Sequence, residues 1–323
     1  MVFTYVNGRC GNQFFYYAIS RAVEEKYLGG NTKLIFDFRA VNSLHKEDGD
    51  GFEDSLRYFQ TKEYETVDKS LLKEVLKTGS LSQKFWYGIY SIAYHIKKNK
   101  RSDFFLKLNS KLWKRGLFIM HPFHMNALRM FEFPERLKKK NYYIAGPFEK
   151  SNIFNDIRPQ LLSELKSRDV IKENSELYET IKNNNSVCIS IRRGDYETNP
   201  VAKRTFSICD KAYFEKAIEE IRKRVENPVF ILFSDDIEWA KHNIIIDGKV
   251  YYETGKDPVW EKLRLMSACK HFIISNSTFS WWAQWLSTSE DKVVVSPEIW
   301  YRPNVKAPLL EEDFIKVPIN TKR

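Results

Sequence analysis

Cysteine is scarce, with four residues in 323, namely Cys10, Cys188, Cys209 and Cys269. None stands two residues from another, so the spacings of zinc and dithiol redox motifs are missing. Cys188 and Cys269 fall in apolar or helical stretches and read as small buried residues. A reducing compartment suits such usage. No apolar run is long enough to cross a bilayer. The best, Trp86 to Tyr94, is about half of the ~20 residues required. The first residues do not read as a signal peptide, being polar and basic by Arg9. The expectation is a cytoplasmic protein that begins directly with its catalytic domain. The phosphate-binding spacings GxGxxG and GxxxxGK[ST] are absent, and no nucleic-acid-binding motif is found.

What is present is an ordinary globular mixture, 43% hydrophobic and 29% charged. The length suits two domains. The net charge of +10 favours anionic partners without choosing among them. Aromatic residues reach 15%, which serves core packing and stacking on bases or sugars.

Val2 to Val6 reads as a strand leading into a Gly8–Gln13 loop. A helix from Phe14 to Tyr27 and a strand from Lys33 to Phe38 follow. This opens an α/β domain. Glu47-Asp48-Gly49-Asp50-Gly51 reads as a solvated turn, although Asp48 and Asp50 imitate a metal-binding pair. Lys97, Lys98, Lys100, Arg101, Lys107, Lys111, Lys114 and Arg115 interleave with Tyr94, Phe104, Phe105 and Trp113. That region, 94–115, has the makings of a peripheral membrane face, or of a plain solvated helix. A domain boundary is placed at 170/171.

Beyond it, strands at 187–191, 229–233, 249–252, 271–274 and 292–295 alternate with helices at 210–225, 237–243, 258–269 and 281–286. The alternation predicts a parallel, doubly wound sheet. In such sheets ligands bind beyond the carboxyl ends of the strands, and three polar clusters fall there. Arg192 and Arg193 end one strand, and a guanidinium holds phosphate oxygens in pairs. Arg193 could instead pair with Asp195. Ser234, Asp235 and Asp236 end another strand and could bind a base or ribose, or cap a helix. Asn276, Ser277, Thr278, Phe279 and Ser280 open a helix whose free N–H groups attract phosphate. Gly11, Asn12 and Gln13 of the first loop could approach a ligand with backbone and amide groups.

These residues resemble glycosyltransferase family 11, the α-1,2-fucosyltransferases, in a bacterial form. Gly8-Arg9-Cys10-Gly11-Asn12-Gln13-Phe14-Phe15-Tyr16-Tyr17-Ala18 is similar to GGLGNQMFQYA. Ser190-Ile191-Arg192-Arg193-Gly194-Asp195-Tyr196 is similar to HxRRGDY. Phe233-Ser234-Asp235-Asp236-Ile237-Glu238-Trp239 resembles FSDDxxW, and Asn276 to Trp282 resembles NSTFSWW. The resemblance implies a GT-B-like fold: two Rossmann-type domains facing a cleft, residues 1–170 on the acceptor side and 171–323 binding GDP-fucose. It implies inverting transfer of L-fucose from GDP-β-L-fucose to the 2-hydroxyl of a galactoside in a surface glycan or oligosaccharide, lipid-linked or free. No metal and no cofactor are implied, and no nucleic-acid partner. Arg192 would hold the β-phosphate, and Asp195 is the candidate base. Donor contacts would come from Gly11, Asn12, Gln13, Ser190, Arg193, Ser234, Asp235 and the run Asn276 to Ser280. Two departures stand out: Ser190 replaces the usual His and Arg9 a usual Gly. The alternatives are a fucosyltransferase of another linkage, a non-catalytic binder of anionic glycan or nucleic acid, and a metal-dependent enzyme using Asp48 and Asp50. The expected location is cytoplasmic, at the inner membrane face.

Overall fold

The computed structural model describes residues 1–45, 51–67, 69–97, 103–121, 132–302 and 307–319. The chain forms two compact units, Met1–Lys166 and Ser167–Arg323. The line between them therefore falls at 166/167, four residues before the expected 170/171.

The first unit is built on five parallel strands: β1 (Val2–Tyr5), β2 (Leu34–Asp37), β3 (Tyr64–Thr66), β4 (Leu117–Ile119) and β5 (Tyr142–Ala145). Their spatial order is β3-β2-β1-β5-β4. Its helices are α1 (Cys10–Leu28), α2 (Arg39–Asn42), α3 (Leu71–Thr78), α4 (Leu81–Ile96), α5 (Asp103–Trp113) and α6 (Arg158–Glu164). α1 ends on Gly29 in the left-handed region, where no side chain has to be accommodated. Ser80 and Gln83 form a reciprocal cap at the start of α4. The Gln83 amide also donates to the carbonyls of Arg115 and Asn141 at 2.9 Å, tying α4 to the loops that precede β4 and β5.

α1 begins four residues earlier than its apolar pattern suggested. Gly11, Asn12 and Gln13 are thus helical, not part of a loop. The turn itself is made by Gly8, at φ +79°.

The expected face at 94–115 is changed in detail. Phe105 and Trp113 are core residues at 2% exposure, because α5 turns them onto the sheet. Lys111 and Arg115 lie over the Trp86 ring at 5.2 and 4.3 Å. Lys98, Lys100, Arg101, Asp48 and Asp50 lie outside the described residues.

The second unit carries six parallel strands: β6 (Asn185–Ile191), β7 (Pro228–Ser234), β8 (Val250–Tyr252), β9 (His271–Ile274), β10 (Val294–Pro297) and β11 (Ile315–Val317). Its helices are α7 (Ser175–Asn183), α8 (Gly194–Thr198), α9 (Pro200–Phe206), α10 (Lys211–Arg222), α11 (Ile237–Asn243), α12 (Val259–Ala268) and α13 (Thr278–Leu286). The order is β11-β10-β9-β6-β7-β8. The chain runs β6, β7, β8 to one side, then returns to lay β9, β10 and β11 on the other. That is the strand order of a dinucleotide-binding sheet, with its reversal between β6 and β9. β6 and β7 are apolar runs buried on both faces, as a sheet covered by helices on both sides requires. Asp210 caps α10 through the Tyr213 amide at 3.0 Å. Phe214, Ala217, Ile218, Ile221 and Val225 fill the core beneath that helix.

Candidate active site

The reversal between β6 and β9 brings two of the three polar clusters side by side. Arg192 is the first residue beyond β6. Its Nη1 lies 2.6 Å from Asp235 Oδ2 and its Nη2 2.5 Å from Asp195 Oδ1. The guanidinium stands 5.6 Å from the centre of the Tyr196 ring. Burial alone would lower its pKa, but Asp235 and then Asp195 outweigh that and hold it above the ordinary guanidinium value. Asp195 pairs with Arg192 and not with Arg193, since the one-turn helix α8 carries Asp195 back over the strand tip.

Arg193 points elsewhere, as adjacent residues at a strand end should. Its guanidinium lies 3.9 Å over the Trp239 ring, and its Nε donates to Asp236 Oδ2 at 3.2 Å. Its backbone N–H donates to Asp235 Oδ1 at 2.8 Å. Asp235 therefore grips both arginines, whereas Asp236 caps α11 through the Trp239 amide at 3.1 Å. Ser234 Oγ accepts the Asp236 N–H at 2.9 Å. Beside Arg193 is a cavity of about 320 Å³, lined among others by Glu197, Cys209, Lys211, Trp239 and Arg302.

The β9 side is held close. The Ser275 amide donates to Ser190 O at 3.1 Å, and the Ser190 and Ser280 hydroxyls share a buried 2.6 Å hydrogen bond. Ser280 also meets Ser275 Oγ at 3.2 Å. Asn276 is taken up structurally: its Nδ2 donates to the carbonyls of Phe206 and Trp300 at 2.9 and 2.8 Å, and its Oδ1 accepts from Cys209 Sγ at 3.5 Å. Tyr196 bridges the two clusters by donating to the Asn276 carbonyl at 3.1 Å. Ser277 is the N-cap of α13, and its side chain makes no capping bond. Thr278 and Phe279 are partly exposed at the helix start. Trp281 and Trp282 are fully buried and Trp285 nearly so; the three rings brace this helix.

Ser190, Arg192, Arg193, Asp195, Ser234, Asp235 and Asn276 to Ser280 thus share the carboxyl ends of three neighbouring strands. Gly11, Asn12 and Gln13 belong to the first unit. The Gln13 amide is buried and occupied, donating to the carbonyls of Gly8 and Glu53 and accepting the Ser55 N–H. It fixes the turn after β1.

Three residues acquire roles at the strand ends that the sequence had left unassigned. Tyr196 links the clusters and Trp239 supports Arg193. Glu253, just past β8, is 1% exposed. One of its oxygens meets Lys262 and the Gly255 N–H, and the other has no hydrogen-bond partner. Burial raises its pKa above the usual carboxylate value. The only mark of Glu253 in the sequence is an acidic residue closing a short Val-Tyr-Tyr strand.

The family model for glycosyl transferase family 11 matches residues 87–317. The O-antigen biosynthesis glycosyltransferase WbnK of Escherichia coli is 32% identical over 204 residues, 60% of this chain and 68% of that protein. An alpha-1,2-colitosyltransferase of Escherichia coli is 33% identical over 184 residues, 54% of this chain and 63% of that one. The galactoside 2-alpha-L-fucosyltransferase Sec1 of Mus musculus is 28% identical over 143 residues, covering 42% of this chain and 39% of its own. The matches therefore span about two thirds of these bacterial relatives and well under half of the mammalian one. Among solved structures, fucosyltransferase NodZ from Bradyrhizobium aligns at a TM-score of 0.48 and 11% identity, over 88% of this chain and 93% of its own.

Proposed function

Because the chain belongs to glycosyl transferase family 11, we propose that it transfers L-fucose from GDP-β-L-fucose to the 2-hydroxyl of a galactoside, with inversion and without a metal ion. The observation that carries this reading is the convergence of Arg192 and the start of α13 at one sheet reversal, bridged by Tyr196. Departure of the nucleotide leaves negative charge on a diphosphate. A guanidinium and a helix N-terminus are the two protein devices best suited to receive it. In this reading Arg192 holds the β-phosphate and the first N–H groups of α13 hold its neighbour. Asp235 and Asp195 fix the guanidinium until the diphosphate arrives. The acceptor is a galactoside of a bacterial surface glycan, in keeping with the relative named for O-antigen biosynthesis.

A colitosyl donor is the second reading, favoured by the 33% identity to an alpha-1,2-colitosyltransferase. The deciding experiment incubates the protein with GDP-fucose and, separately, a colitosyl donor, over a panel of galactosides. Products are weighed by mass spectrometry and their linkage is read by NMR. The expected result is a fucosylated product, α-1,2-linked, formed equally fast in EDTA. No product from GDP-fucose with any galactoside defeats the reading.

A further inference from the structure

α4 is apolar on two opposite faces. Tyr90 and Tyr94 pack inward against Phe105. Opposite them, Leu81, Phe85, Ile92 and Ile96 are 86, 63, 62 and 74% exposed, and Gly88 between them borders open space. At ~100° per residue these positions share an arc of about 80°. α3 and α5 pack beside α4 and add exposed Leu72, Leu76 and Phe104. The three helices and their described flanks carry Lys73, Lys77, Lys84, Lys97, Lys107, Lys111, Lys114 and Arg115, against only Glu74 and Asp103. An exposed apolar stripe with a basic surround matches an anionic bilayer. We infer that this face docks on anionic phospholipid. Full-length protein should sediment with phosphatidylcholine vesicles containing phosphatidylglycerol, and much less with phosphatidylcholine alone. The Phe85→Glu/Ile92→Glu variant should stay in the supernatant with an unchanged melting curve. Equal sedimentation of variant and wild type overturns the inference. So does a wild-type dimer that ignores vesicles and that the variant splits, since the stripe would then join two copies.

Discussion

Arg192 Nη1 stands 2.6 Å from Asp235 Oδ2, so the guanidinium at the tip of β6 is held by the carboxylate at the tip of β7. Asp195 takes its other end. A group fixed at both ends costs little reorganisation when a diphosphate arrives. Arg192→Ala should lower kcat on the order of 10²–10³-fold. Arg192→Lys should recover little, because an ammonium cannot span two carboxylates in a plane. Turnover with GDP-fucose, alongside GDP binding by calorimetry, checks both. Near-normal turnover in Arg192→Ala removes this residue from the mechanism.

The second unit was largely legible because each strand is an apolar run closed by a polar cluster. Ile237–Asn243 and His271–Ile274 have the expected bounds, and Asp210 caps α10 as its position implied. Between Val41 and Lys140 the same logic had less to grip. β3 and β4 have three residues each, too short to show a period. α4 has apolar residues on opposite faces, which blurs any single stripe. Pairing was the other gap. Position alone could not say that Asp195 turns back to Arg192, because that depends on the short helix that carries Asp195. Glu253 is singled out by burial, which no local pattern announces.

Ser190 and Ser280 share a 2.6 Å hydrogen bond inside the second unit, fastening the front of α13 to β6. Ser190→Ala should cost about 1 kcal/mol, since Ser280 keeps Ser275 as a partner. Ser190→His, which introduces the residue that the resemblance expects here, should cost about 1–3 kcal/mol, because the site is 6% exposed and an imidazole is much larger than the hydroxymethyl group it replaces. Urea denaturation of the three proteins gives the order. A histidine variant as stable as wild type would show that this end of the sheet is looser than its packing indicates.

His271 opens β9 at 8% exposure, and its Nδ1 accepts the Val293 N–H at 3.2 Å. Burial, then Lys270, lowers its pKa below the ordinary value, with Asp291 opposing. A histidine depressed on folding binds protons more readily when unfolded, so its contribution is complete above about 6.5 and is lost as pH falls below it. Stability of the second unit should therefore decline from pH 7 to pH 5. His271→Gln, which cannot titrate, should flatten that slope. Urea midpoints across the range provide the measurement, and an equally steep slope in the variant would shift the cause to another group.

Gly146 and Gly29 separate two costs of a positive φ. At Gly29, φ +70°, an added Cβ meets nothing within 4 Å, so Gly29→Ala should cost only the backbone preference, about 1 kcal/mol. At Gly146, φ +133°, the Cβ would stand 2.1 Å from the Met120 carbonyl oxygen. That carbonyl cannot swing away freely, because the Met120 N–H is bonded to Ala145 O at 2.8 Å in the ladder of β4 and β5. Gly146→Ala should cost a larger backbone preference, since φ +133° lies beyond the αL region, plus a steric term, about 3 kcal/mol or more in all. Melting curves for the two variants test this. Equal destabilisation by both alanines would mean that the loop after β5 yields to the added methyl group.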